Sequence, residues 1–171
     1  MADYKIALKL YQSQAGDENA KVKISINNIT VDESLEVSNT DSENPTLFVY
    51  DVTDLPDPVE ETTTIKVELL NDFYVDSGND RNVYWTGTGY ACQSSNGNYY
   101  HFAETEGLPS ANELITDWTA DASFNWVEGC EYQGDENGTV DQTKGWLPFA
   151  ITSTYVSATV PLTAWKVHVS G

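Results

Sequence analysis

The chain has 171 residues and a formal net charge of −19, with 27 acidic and 8 basic side chains. A field of that sign repels nucleic-acid phosphates and anionic lipid and attracts divalent cations, so we exclude nucleic acid and membrane surfaces as partners. The length and the 40% hydrophobic content predict a single globular domain. The sequence has no apolar run of about 18 residues of the kind that crosses a membrane as a helix.

The first half of the chain alternates with the period of β-strands. In residues 21–31, Val22, Ile24 and Ile26 fall on one face while lysine and serine fall on the other. The pair Asn27-Asn28 then predicts a tight hairpin turn. Similar patterns predict further strands at 5–10, 29–31, 35–37, 46–52 and 62–70. Short strands joined by turns rich in Asn, Asp, Gly and Pro indicate an antiparallel sandwich.

The second half is organised differently. Residues 91–145 scatter Gly, Ser, Asn and Asp among aromatic side chains, and we interpret them as a long loop excursion or insertion. A short helix is predicted inside it, because Ser110 and Glu113 have capping-box spacing ahead of Leu114 and Ile115. Strand patterns return at 147–156 and 158–169.

These patterns together predict an all-β fold: one antiparallel β-sandwich domain over residues 1–171, with at most one short helix. Cys92 and Cys130 are the only cysteines, too few for a zinc site without matching histidines. A disulfide between them and two buried free thiols are equally consistent with the sequence.

The stretch 71-NDFYVDSGNDRNVYW-85 concentrates acidic and amide side chains in what we interpret as a loop between two strands. Its candidate cation ligands are Asp72, Asp76, Asn79 and Asp80, with Gly78 supplying the bend. Ca²⁺ takes roughly six to eight oxygen ligands, including carboxylates, carbonyls and water. The spacing is not that of an EF-hand. A bound cation and a solvated acidic turn both explain the stretch.

The arrangement of Asn71-Asp72 at a strand end, a short loop, and Asp80-Arg81-Asn82 at the next strand resembles a known family. It is similar to the calcium-dependent carbohydrate-binding modules of the xylan-binding kind, families 36 and 60. The segment 22–31 is similar to their strand carrying Val-Asn-Gly. The resemblance covers about the first half of the chain and ends at Tyr90.

The resemblance implies a jelly-roll sandwich with Ca²⁺ held in the acidic loop. By position in the motif, Asp80 would be a ligand and Asn79 would offer its main-chain carbonyl. Either Asp76 or Asp72 would supply a second carboxylate. Arg81 would pair with a loop carboxylate and hold the turn.

The resemblance also implies a glycan partner whose vicinal hydroxyls complete the calcium shell. Asn82 is placed among the sugar-binding residues and would hydrogen-bond loop backbone. Tyr74 and Tyr84, followed by Trp85, are the nearest aromatic candidates for packing against a sugar ring. Core packing and cross-strand pairing are the alternative roles for each aromatic side chain.

No catalytic motif accompanies this stretch, and we interpret the chain as non-enzymatic. The N-terminus predicts a strand and not a signal peptide, so we expect synthesis in a cytoplasm. An acidic sandwich of this kind suits a decoration, fibre or knob protein on a bacteriophage virion, bound to a shell protein or to copies of itself. The alternatives are a module of an extracellular glycanase and a purely structural particle protein without a ligand.

Overall fold

The alternation in the sequence becomes two antiparallel β-sheets that pack against each other in the computed structural model. The structure describes residues 3–52, 54–56, 63–93, 99–100, 114–115, 125–126, 132–135, 143–145, 149–152 and 154–160. Over these ranges the chain is all-β, which confirms the predicted antiparallel sandwich. None of these ranges contains a helix long and apolar enough to cross a membrane.

The strands of the first half follow the predictions up to residue 70 and also include two that begin inside the acidic stretch 71–85. They are β1 (Asp3–Ser13), β2 (Ala20–Ile26), β3 (Ile29–Val37), β4 (Thr46–Asp51), β5 (Thr63–Leu69), β6 (Phe73–Asp76) and β7 (Asn79–Gln93). Asn27 and Asn28 have φ angles of 50° and 66°, which is the left-handed conformation that a tight turn between twisted strands requires. The predicted strands at 29–31 and 35–37 are one continuous strand, β3.

The second half contributes shorter strands to the same two sheets. They are β8 (Tyr99–Tyr100), β9 (Leu114–Ile115), β10 (Asn125–Trp126), β11 (Tyr132–Asp135), β12 (Thr143–Gly145), β13 (Phe149–Ile151) and β14 (Tyr155–Val160). The helix prediction is wrong at Leu114 and Ile115, because these residues pair with β8 as a strand. Three predicted features lie outside the described residues: the rest of that helix, the state of Cys130 and the strand predicted after residue 160.

Strand β7 organises the first sheet. The main path of this eight-stranded sheet runs β4-β1-β7-β8-β9, and β6, β10 and β13 also pair with β7. The second sheet has six strands in the order β12-β11-β14-β5-β2-β3. Several strands within the predicted 91–145 excursion therefore extend both sheets.

The core lies between the sheets and comes from the inward positions of the alternating strands. Strands β2 and β5 bury every second residue, as their sequences predict. Fully burying one Val, Leu or Ile side chain contributes roughly 1.5–3 kcal/mol. The core includes Ile6, Leu8, Leu10, Val22, Ile24, Ile26, Ile65, Val67, Leu69, Val83, Trp85, Ile151, Val156 and Val160.

Candidate cation and ligand face

The acidic stretch that the sequence suggested as a loop is a strand hairpin. Strands β6 and β7 pair antiparallel, with Phe73 opposite Arg81 and Tyr74 opposite Asp80, and they are joined by Ser77 and Gly78. Aromatic and β-branched residues in 73–75 favour this pairing, so the interpretation of residues 71–82 as one connecting loop is wrong. The φ of Gly78 is not in the left-handed region, so the bend does not depend on glycine there.

Strand alternation divides the candidate residues between two faces of the hairpin. Successive side chains of a strand point to opposite faces, so Asp80, Asn82 and Tyr84 share one face of β7. The Asn82 side-chain amide donates a hydrogen bond to Asp80 Oδ2 at 3.0 Å, which agrees with this placement. We call this surface, defined by Asp80, Asn82, Tyr84 and their cross-strand neighbours, the Asp80 face.

Neighbouring strands add two tyrosines to the Asp80 face. Tyr74 lies opposite Asp80 on β6, and Tyr11 lies opposite Tyr84 on β1. The rings of Tyr11 and Tyr84 stack, with centroids 4.7 Å apart and planes inclined by 14°. Sequence reasoning missed Tyr11, although it occupies an outward position of β1, one residue beyond the inward Leu10.

Asp72 is close enough to Asp80 for the two charges to interact. Burial raises the pKa of Asp72 above its ordinary value, and the charge of Asp80 raises it further. A hydrogen bond from the backbone of Phe73 and the charge of Arg81 act in the opposite direction. The two carboxylates therefore repel each other at one side of the hairpin, where a cation would relieve the repulsion.

The side chains of Asp76 and Asn79 are hydrogen-bonded to each other at the tip of the hairpin. Asp76 Oδ1 accepts hydrogen bonds from the Gly78 backbone N–H at 2.9 Å and from Asn79 Nδ2 at 3.2 Å. The four predicted ligands are thus split into two pairs, Asp72 with Asp80 and Asp76 with Asn79. Among the residues that the structure describes, no three Asp, Glu, His or Cys side chains gather into a metal-holding group.

Arg81 holds the hairpin through hydrogen bonds to main-chain oxygens and not through the predicted ion pair. Its side chain is only 4% exposed, and it donates hydrogen bonds to the main-chain oxygens of Asn71 and Ala15, the latter at 2.7 Å. The prediction that Arg81 pairs with a loop carboxylate is wrong, because both terminal nitrogens of its guanidinium donate to main-chain carbonyls. These bonds tie the β1–β2 and β5–β6 connections to the start of β7.

The side chain of Asn71 extends this attachment to β2. Its Oδ1 accepts a hydrogen bond from the Lys21 backbone N–H at 2.8 Å, and its Nδ2 donates to the Asn19 carbonyl at 3.0 Å. On the other flank, Ser13 Oγ donates to the Asp80 carbonyl at 2.8 Å and accepts from the Asn82 backbone N–H at 3.0 Å. The backbone that carries the Asp80 face is therefore fixed from both sides.

The residues of the Asp80 face fit a hard cation. Asn82 is 8% exposed, and its Oδ1 is buried without a hydrogen-bond partner among the described residues. An unpaired buried acceptor is costly, and water or a cation would satisfy it. Asp72 and Asp80 offer carboxylate oxygens of the kind that Ca²⁺ prefers, with the remaining positions left for carbonyls, water or ligand hydroxyls.

The aromatic candidates differ in how much surface they offer. Tyr74 is 66% exposed and Tyr84 is half-buried. Trp85 has no exposed surface, and its indole N–H donates to the Gly87 carbonyl and to Thr88 Oγ1. Its position on the core side of β7 is incompatible with the predicted sugar contact.

Compared with known proteins, the chain matches no family model, no curated protein and no solved structure. The class that the fold defines is an all-β antiparallel sandwich with a projecting acidic hairpin.

Proposed function

We propose that this protein is a non-catalytic binding module in which Ca²⁺ binds between Asp72 and Asp80. Vicinal hydroxyls of a glycan would complete the coordination shell. The observation that supports this proposal most is the alignment of Asp80, Asn82 and Tyr84 on one face of β7, where the Asn82 amide donates to Asp80 Oδ2 and its own Oδ1 is left without a partner.

The proposed chemistry uses each part of the Asp80 face. A cation offsets the repulsion between the two carboxylates, and the Asn82 amide keeps Asp80 oriented by its hydrogen bond to Oδ2. A sugar diol replaces water on such an ion at little cost, because both are neutral oxygen ligands. The stacked pair of Tyr11 and Tyr84 would provide an apolar surface next to the ion for the less polar side of a pyranose ring.

For the setting, we propose display on the surface of a bacteriophage virion, as a decoration, fibre or knob component in contact with a shell protein or with other copies. The strongly acidic composition and the projecting hairpin, whose Tyr74 and Val75 are well exposed, support a role in outward display. A module associated with an extracellular glycanase would use the same face.

A second candidate is a structural particle protein without a ligand. The observation that favours it is the internal bonding of the hairpin, since Asp76 and Asn79 hydrogen-bond to each other and the two terminal nitrogens of Arg81 donate to carbonyls. An acidic hairpin held in this way needs no ion to keep its shape.

Affinity electrophoresis through gels containing xylan or galactan distinguishes the two candidates. The binding proposal predicts retarded migration in calcium that is abolished by EDTA and by Asp80→Ala. Asp76→Ala serves as the matched control, because this acid lies at the hairpin tip, and it should leave the retardation intact. Equal migration of all proteins with and without calcium, on these and other neutral glycans, would favour the structural candidate.

A further inference from the structure

Among the strands that the structure describes, one end of each sheet is formed by the short strands β9 and β12. At the other end, each sheet closes with a longer strand that has a neighbour on one side only. In the first sheet this edge strand is β4, which pairs with β1, and in the second sheet it is β3, which pairs with β2. Edge strands leave a row of main-chain N–H and C=O groups available for pairing with another strand. Natural proteins usually protect such edges with charged side chains.

The two edges differ in this protection. Strand β3 carries Asp32, Glu33 and Glu36 within its nine residues. Strand β4 is uncharged from Thr46 to Tyr50 and carries one acid at its end. In a chain with a net charge of −19, an uncharged edge next to a charged one indicates that β4 is not protected against pairing.

The side chains of β4 also make it a rigid and partly apolar edge. Phe48 and Tyr50 face inward and pack against the core, and the Tyr50 hydroxyl donates to Asp32 Oδ2 at 3.0 Å. This hydrogen bond links the two sheets at the side of the sandwich where β3 and β4 lie. Val49 faces outward and is 44% exposed, with the half-buried Leu47 two residues before it.

The charges around β4 favour contact with a second copy of the chain. On β1, Lys9 lies opposite Leu47, and Lys5 lies opposite Asp51, with which it forms an ion pair at 3.7 Å. Two lysines and one acid therefore lie on the outer side of the paired strands themselves, and the exposed acids Asp41, Glu43 and Asp54 lie in the turns that flank β4. A two-fold contact brings each residue close to its own equivalent, so an acidic protein can form one only where its surface is close to neutral.

We infer that β4 pairs antiparallel with β4 of a second copy, so that the first sheet continues across a two-fold axis. The outward side chains of Leu47 and Val49 from both copies meet on one side of the joined sheet. The contact is small compared with a permanent interface, so association is reversible and depends on concentration. It does not involve the Asp80 face, and its test is independent of the cation proposal.

Ionic strength gives a distinctive signature for this contact. Added salt screens the overall repulsion between two strongly acidic copies, so pairing through an uncharged edge becomes stronger at high salt. A contact between the lysines on the outer side of the second sheet, Lys21, Lys23 and Lys66, and acids of another copy would become weaker instead.

Sedimentation equilibrium of the full chain, from micromolar to near-millimolar concentration at low and high salt, tests the inference. We expect a monomer–dimer equilibrium that is stronger at high salt. Val49→Lys places like charges across the two-fold axis and should weaken the dimer by about tenfold. Val75→Lys is the matched control, because Val75 is a 63% exposed valine on the hairpin, and it should change nothing. Thermal unfolding of dilute protein checks that both variants are folded.

Hydrogen exchange provides a second readout that does not depend on a variant. The β4 amides that do not bond to β1 should exchange quickly in dilute protein and become protected in concentrated protein at high salt. A chain that stays monomeric throughout, a dimer insensitive to Val49→Lys, or a dimer that weakens with salt would each overturn the inference.

Discussion

Arg81 lies across the hairpin from Phe73, with its guanidinium carbon 5.1 Å from the centre of the aromatic ring. This pair occupies the face of the hairpin opposite Asp80 and is buried against the β1–β2 connection, where Arg81 reaches the Ala15 carbonyl. The residues that hold the hairpin therefore lie on one face of β6 and β7, and the residues proposed to bind calcium and glycan lie on the opposite face. Substitutions on one face can consequently be separated from those on the other.

The first prediction concerns Arg81→Lys. A lysine keeps the charge but cannot reach both the Asn71 and the Ala15 carbonyls with a planar fork, so one buried acceptor loses its partner. We expect the free energy of unfolding to fall by about 2–3 kcal/mol, measured by urea denaturation. A loss below about 0.5 kcal/mol, which is typical of surface substitutions, would show that these hydrogen bonds do not hold the hairpin.

The second prediction compares two glycines. Gly16 has a φ of +70°, and a Cβ atom there would lie 3.1 Å from Arg81 Nη2 and 3.4 Å from the Phe73 ring. Gly16→Ala should therefore destabilise the fold by about 1–2 kcal/mol. Gly78→Ala is the control, because that glycine has an ordinary φ and its Cβ would meet only Asp76 Oδ1 at 3.4 Å. Equal effects of the two substitutions on urea denaturation would contradict this account.

Much of the fold could be predicted because strand period and turn chemistry are local properties. The inward set Val22, Ile24 and Ile26 and the Asn27-Asn28 turn depend only on near neighbours. The acidic stretch was harder, because polar composition suggested a loop while pairing with β7 made Phe73–Asp76 a strand. Which aromatic side chains face the core and which face solvent depends on how the strands assemble into sheets, so the sequence alone did not place Trp85 in the core or Tyr11 beside Tyr84.

The third prediction is a pH dependence of Asp72. Burial, together with the charge of Asp80, raises the pKa of Asp72 in the folded protein above its ordinary value of 3.8. The folded state then holds the proton more tightly than the unfolded state. The contribution of Asp72 to the free energy of unfolding therefore falls as pH rises from the unfolded pKa through the folded pKa, and it stays low at neutral pH.

Asp72→Asn removes this titration. Without calcium, the variant should be more stable than the wild type at neutral pH, and this advantage should disappear below the unfolded pKa. Added calcium should stabilise the wild type more than the variant, because the ion interacts with the carboxylate. Urea denaturation across this pH range measures both effects. A variant that is less stable than the wild type at neutral pH without calcium would contradict the assigned repulsion.

The fourth prediction separates the tyrosine stack from the ion. Tyr11→Ala and Tyr84→Ala should each weaken glycan binding by about tenfold, which corresponds to about 1.4 kcal/mol, and leave calcium affinity unchanged. Tyr155→Ala is the matched control, because Tyr155 belongs to the other sheet and Lys66 Nζ lies 4.3 Å from its ring centre. Calorimetric titration with a soluble oligosaccharide measures the effect. An equal loss in the control would assign the effect to general destabilisation.

Isothermal calorimetry of calcium binding to the wild type, Asp80→Asn and Asp76→Asn decides whether an ion binds beside Asp80. These two substitutions each replace one charged group in the same hairpin, Asp80 on β7 and Asp76 at the end of β6, next to the turn. We expect saturable binding of one ion per chain to the wild type and to Asp76→Asn, and none to Asp80→Asn. No binding to the wild type, or equal loss in both variants, would contradict a cation site on the Asp80 face.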